Sequence, residues 1–253
     1  MCKLLTATGV AGNPDSYFHR PSISDWLADL GVTREGSVPE RELLEAIFRT
    51  AIAKGTLNTV IFGLRLQRES FDFFTEKLGV LYPEHSNDVE RLQVAFGRTL
   101  FVHLTRRDKV AQAVSYVKAQ QTGLWHAAPD GTELERLSPP REPAYDATGI
   151  RSRLEEVTAH DHGWEHWFAG LEIDPLRIAY EELSEGPVET LRVVLDQLGL
   201  EREAADGVEP GVAKLSDTIN QDWAARFRSE QKSALSPMVD GRWPMAIGTG
   251  KGP

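Results

Sequence analysis

Two adjacent arginines, Arg106 and Arg107, stand where an apolar run gives way to a helical pattern, and Ser115 follows the second of them by eight residues. A guanidinium presents a planar fork of donors that matches phosphate oxygens. A helix start beside it adds free backbone N–H groups and the positive end of the helix dipole. Ser115 falls about two turns into that helix and off its apolar stripe, a position from which its hydroxyl could reach the same anion. A solvated arginine pair and an ordinary helical serine meet the same spacing. A second group follows the turn at Asn13-Pro14, where Asp15, Ser16, Tyr17, Phe18, His19 and Arg20 bring polar, titratable and aromatic side chains together. It reads either as a site-lining loop or as a surface turn anchored by Tyr17 and Phe18. Arg65 lies near the carboxyl end of a further apolar run, and the alternative there is a surface pair with Glu69. His162 and His166 share a helix face at i, i+4, the spacing of a helical metal pair. No third or fourth ligand accompanies them, His160 faces elsewhere, and Glu165 is out of place for an H-E-x-x-H pattern. Solvated or aromatic-stacked histidines, and no metal, are expected.

The elements that must position these groups follow from periodicity. Residues 100–104 read as a buried strand and residues 108–121 as a helix with Val110, Ala113, Val114 and Val117 on one face. Upstream, residues 2–8 form a short helix stopped by Gly9, and residues 22–30 a second one. Leu43, Leu44, Ile47, Phe48 and Ala51 then make the stripe of a longer helix ended by Gly55. Residues 56–66 give a strand with Arg65 near its end, pointing to the rim where open α/β sheets bind ligands. Helices are expected over 71–78 and 89–96, over 150–169, over 187–198 and over 222–231, with a strand over 175–180. Strands alternating with helices predict a parallel sheet covered by helices. The aperiodic stretch 127–149, with Pro129-Asp130-Gly131 and Pro139-Pro140, is expected to be a mobile loop.

Composition narrows the function classes. A chain of 253 residues holds one large domain, here expected over 1–235 with a flexible tail over 236–253. A net charge of −10 argues against nucleic acid or anionic membrane as the main partner, while leaving room for a local basic pocket. The single cysteine, Cys2, excludes an internal disulfide and a cysteine metal cage, and favours a cytoplasmic protein. No apolar run approaches the roughly 20 residues of a membrane span. Near the end, Gly248-Thr-Gly-Lys-Gly-Pro253 imitates a phosphate loop but lacks its glycine spacing and its Ser/Thr after Lys. A kinase or nucleotidase is disfavoured because neither a Walker loop nor a magnesium-binding pattern is present.

Taken together, Thr-Gly-Val-Ala-Gly-x-Pro at 8–14, Gly-Leu-Arg-Leu at 63–66, the run from His103 through Ser115 to Thr122 and Trp164-x-x-Trp-Phe168 resemble the bacterial Stf-zero-type sulfotransferases. This is the trehalose 2-sulfotransferase-like family, and the likeness extends over about residues 4–231. It implies an α/β, P-loop NTPase-like fold, a parallel sheet flanked by helices. It also implies transfer of a sulfuryl group from 3′-phosphoadenosine 5′-phosphosulfate (PAPS) to a hydroxyl of a carbohydrate or glycolipid, without a metal, and a possible homodimer. In that family pattern Arg107 and Ser115 grip the 3′-phosphate. Arg65 occupies the position of a common strand-end lysine and steadies charge on the transferring sulfuryl group or the leaving phosphate. Two departures accompany the likeness. The family begins with a strand and a glycine-serine-threonine loop before the helix matched by Leu4 and Leu5, so the chain is expected to be N-terminally truncated relative to that pattern. Either the natural start lies upstream or the chain is a non-catalytic nucleotide- or anion-binding relative. Its trehalose-modifying members also carry a glutamate just before the aromatic pair matched by Tyr17-Phe18, where this chain has Ser16. Asp15 or His19 from the same loop would then serve as the base.

Overall fold

The computed structural model describes residues 1–33, 36–211 and 216–235; the expected tail over 236–253 and its phosphate-loop imitation lie outside the described residues. The chain opens with α1 (Cys2–Ala7) and turns through Gly9 and Gly12, both at positive φ. Gly12 is required where it stands: a Cβ there would lie 2.3 Å from the Ile61 carbonyl and 2.6 Å from that of Gly55. Next comes α2 (Ile23–Leu30), whose first turn is capped by the Ser22 hydroxyl accepting from the Asp25 N–H and whose end is set by Gly31 in the left-handed region. Helices α3 (Glu40–Thr56), α4 (Arg68–Leu81) and α5 (Asp88–Phe96) complete the first half. Their apolar stripes close on Phe18, which is fully buried with ring centroids 4.7 Å from Phe48, 4.9 Å from Trp26 and 5.0 Å from Phe74.

The strand expected over 56–66 is much reduced. Helix α3 continues through Thr56, and the segment that follows makes a single parallel bridge, Asp15 with Leu64, with the Arg65 N–H donating to the Asp15 carbonyl at 3.0 Å. The facing segment contains Pro14, which has no N–H to give and packs so tightly on Gly63 that a Cβ there would meet it at 2.4 Å. The Asn13 N–H, which a longer ladder would use, donates instead to the Gly55 carbonyl at 2.7 Å.

The second half carries β1 (Val102–Thr105), α6 (Lys109–Thr122), β2 (Leu124–Ala127), β3 (Glu133–Arg136), α7 (Ala147–Gly170), β4 (Leu176–Ala179), α8 (Tyr180–Glu185), α9 (Pro187–Leu198) and α10 (Thr218–Leu235). Strands β1 and β4 pair in parallel, from Val102 opposite Leu176 to Thr105 opposite Ala179. The fold is therefore mixed α/β, with helices around a small parallel sheet. The stretch over 127–149 is more ordered in its pairing than its aperiodicity suggested, because β3 returns antiparallel onto β2. Its turn is built by Gly131 at φ 87°, by the Ala128 N–H donating to the Thr132 carbonyl at 2.8 Å, and by the Asp130 carboxylate accepting from the Thr132 N–H. Glu133-Leu-Glu-Arg is too short and too polar to stand out as a strand. Trp164, Trp167 and Phe168 of α7 pack inward, Trp164 at 4.6 Å from Phe71 and the Trp167 indole donating to Asp88 at 3.0 Å.

Replacement of two neighbouring glycines separates backbone strain from crowding. Gly9→Ala, at positive φ but in open space, is expected to cost about 1–2 kcal/mol. Gly12→Ala should cost at least about 2 kcal/mol more, since two carbonyl oxygens must also move. Urea denaturation of both variants checks this, and equal losses would contradict it.

Candidate functional site

Because β1 and β4 run parallel in register, the segments leaving their carboxyl ends emerge side by side. Between them and α10 lies a cavity of about 320 Å³ whose walls include Arg106, Asp108, Tyr180, Glu181, Asn220 and Arg228. The Arg106 guanidinium lies 4.7 Å from the centre of the Tyr180 ring, and its buried Nε has no hydrogen-bond partner among the described residues. Asp108 caps α6 by accepting from the Ala111 N–H at 3.0 Å, and both its oxygens accept from one Arg228 nitrogen at 2.7 Å. Burial opposes ionisation of Asp108, but the Ala111 N–H and the Arg228 guanidinium outweigh it and hold the carboxyl below the usual carboxylate range.

The turn itself differs from the expectation of free N–H groups at a helix start. The Arg107 and Asp108 N–H groups donate to the two oxygens of Glu181, at 3.2 and 3.3 Å. Burial works against ionising Glu181, and backbone N–H groups, including these two, together with the charge of Arg106 reverse the balance and lower its pKa. The Arg107 side chain is exposed and bonds Glu182, so Arg106 rather than Arg107 lines the cavity. Ser115 is half-buried on α6, and no hydrogen bond among the described residues joins it to Arg107. Tyr180, Glu181, Glu182 and Arg228 were not singled out by sequence as functional; the Glu-Glu pair directly after a strand was the available signal, but its meaning depends on which strand lies alongside.

A larger pocket of about 510 Å³ opens beside the first turn of the chain, lined among others by Asn13, Asp15, Ser16, Tyr17, His19 and Gln67. Asp15 and His19 are thus brought to one pocket. The Tyr17 hydroxyl donates to the Asn13 carbonyl at 2.7 Å, and burial, followed by the charge of Asp15, raises its pKa. Ser16 accepts from the Gln67 amide at 3.0 Å, while its N–H donates to the Asp15 carboxylate at 2.7 Å. His19 Nδ1 lies 3.0 Å from the Ser16 carbonyl and 3.9 Å from Asp29. A carbonyl only accepts, so this contact puts the proton on Nδ1 and leaves Nε2 as the lone-pair nitrogen of the neutral ring. Arg65 is exposed, is joined through its backbone to Asp15, and interacts electrostatically with Cys2 at the start of α1. Glu69, its suggested surface partner, lies instead 3.8 Å from His160. The metal-like grouping among the described residues is Glu69, Glu156 and His160 rather than the His162–His166 pair, and Glu156 is also held by Arg153 at 2.6 Å.

Parallel strands thus end on a cavity lined by Arg106 and Arg228, and a second pocket gathers Asp15 and His19, in a mixed α/β protein. The profile of the Stf0 sulphotransferase family matches residues 1–230, and the chain belongs to that family. It is 26% identical over 244 residues to a trehalose 2-sulfotransferase of Mycobacterium tuberculosis, covering 89% of this chain and 88% of that one. A trehalose 2-sulfotransferase of Mycolicibacterium smegmatis is 25% identical over 255 residues, covering 92% of this chain and 91% of its own.

The carboxylates at the turn make an acid-stability prediction. For a group whose pKa is lower folded than unfolded, stability is present above the unfolded value and is lost as pH falls through the folded one. Asp108 and Glu181 are both lowered, so stability should fall as pH drops below about 4, and Asp108→Asn should flatten that slope. Urea denaturation at several pH values measures it; an unchanged slope would contradict the assignment.

Proposed function

We propose that the chain is a PAPS-dependent sulfotransferase moving a sulfuryl group to a hydroxyl of a carbohydrate or glycolipid acceptor, with trehalose as the first acceptor to try. The observation that carries this reading is the near full-length correspondence with two relatives that bear the name trehalose 2-sulfotransferase. The site fits an anionic donor: Arg106 has a buried N–H without a partner among the described residues, and Arg228 lines the same cavity. Arg107, Arg106 and the Ser115 hydroxyl are the groups proposed to hold the 3′-phosphate. The parallel pair β1–β4, with α6 following β1, supports a P-loop-like arrangement. No helix among the described residues is long and apolar enough to cross a membrane, and we assign the reaction to the cytoplasm.

PAPS supplies an activated sulfuryl group on its 5′-phosphate. His19 Nε2 takes the proton of the acceptor hydroxyl as the acceptor oxygen bonds to sulfur and the bond from sulfur to the phosphate oxygen breaks. Asp15, already accepting the Ser16 N–H and joined to the Arg65 backbone, is suited to orient the acceptor rather than to receive the proton. Arg65 offsets the charge that gathers on the leaving phosphate. Asn13, Ser16, Tyr17 and Gln67 offer the donors and acceptors that a polyhydroxyl ligand requires.

Calorimetry with 3′-phosphoadenosine 5′-phosphate should give saturable binding, weakened about ten- to a hundredfold in Arg107→Ala, the worth of a charge-assisted bond to phosphate. In transfer assays with trehalose, His19→Ala should lose at least about a hundredfold in turnover, and Asp15→Asn less. A folded chain that binds no nucleotide, or full turnover in both variants, would overturn the reading.

A further inference from the structure

The negative charge of Glu181 sits on the wall of the cavity proposed to hold a phosphate, which is an unfavourable neighbour unless the carboxylate has another task. Its geometry identifies one. Thr105 and Ala179 are opposed at the ends of the parallel strands, so residues two positions further on, Arg107 and Glu181, emerge opposite each other. The Glu181 oxygens divide between two successive N–H groups of the facing turn, Oε2 receiving Arg107 and Oε1 receiving Asp108. Neither donor has a partner within α6, because Asp108 is its N-cap and Arg107 precedes the cap. The adjoining Glu182 holds the Arg107 guanidinium, so consecutive residues of α8 grip the backbone and the side chain of the same arginine. On the opposite side, Arg228 of α10 fixes the Asp108 side chain.

From this juxtaposition we infer that Glu181 is a positioning residue: its carboxylate ties the turn after β1 to the end of β4 and sets the direction in which Arg106 and Arg107 meet the donor. This rests on the proposed donor site. The two N–H groups are engaged by the protein itself, so recognition of the phosphate falls to the guanidinium groups and to Ser115. Glu181 does not touch the donor. The opposite role, a carboxylate seated in the phosphate position and displaced on binding, predicts the reverse effect of neutralising it.

Glu181→Gln keeps the size of the side chain but offers one carbonyl acceptor to two donors. Amide hydrogen exchange over residues 106–110, read without ligand, should accelerate about tenfold, and binding of 3′-phosphoadenosine 5′-phosphate should weaken by about the same factor. In transfer assays the KM for the donor should rise while the KM for the acceptor stays unchanged, a split that general loss of structure does not produce. Glu181→Asp, which keeps both acceptors on a shorter arm, should fall between wild type and Glu181→Gln, and it carries the same measurements if Glu181→Gln does not fold. Unchanged exchange, or nucleotide binding as tight as or tighter than wild type, overturns the inference. A wild-type chain that binds no nucleotide overturns the functional reading instead, and the exchange rates still decide whether Glu181 holds the turn.

Discussion

The parallel pairing of β1 with β4 is the constraint on which the rest of this structure depends. Only four residues pair on each strand, yet their register decides which groups meet at the carboxyl ends. It sets Arg106 against Tyr180 and the Arg107 and Asp108 N–H groups against Glu181. Moving the pairing along by one residue would exchange the faces of the side chains and separate these partners. The backing is apolar: Ile178 on β4 is buried with Leu191, Val194 and Leu195 of α9, while Val114 and Val117 of α6 pack with Ile150 of α7 and Phe227 of α10.

The second pocket is fixed by a different device. Phe18 is buried among Trp26, Phe48 and Phe74, and this anchors the loop so that its neighbours on either side in the chain, Tyr17 and His19, line the pocket. The other end of the loop is tied down by the Asn13 N–H donating to the Gly55 carbonyl at 2.7 Å and by the Arg65 N–H donating to Asp15. Aromatic burial and backbone hydrogen bonds therefore orient a set of polar side chains that have few direct bonds to one another. Asp15 remains exposed and His19 half-buried, so both keep access to solvent and ligand.

Helices were the most legible part of the sequence. The helix expected over 187–198 is α9 residue for residue, and the one expected over 108–121 is α6 to within one residue at each end. Local signals suffice there because periodicity, caps and stops all lie within the element. The run at 56–66 was misread because what limits its pairing lies far off in the chain: the Asn13 N–H is spent on the Gly55 carbonyl, and Pro14 packs against Gly63. The hairpin of β2 and β3 was missed because its second strand is four largely charged residues. At the site, the arginine pair and the loop carrying Asp15 and His19 were legible from residue type alone. The engagement of Arg107 by Glu182 and of its backbone by Glu181 was not, since both depend on which strand lies beside β1 and in what register.

The account stands on the donor nucleotide lying at the carboxyl ends of β1 and β4. A crystal structure of the chain with 3′-phosphoadenosine 5′-phosphate tests that claim most directly. The account predicts the 3′-phosphate against the Arg106–Arg107 turn, within reach of the Ser115 hydroxyl, with Glu181 still bonded to the turn. A nucleotide found in the Asp15–His19 pocket, with the turn after β1 bare, would contradict it.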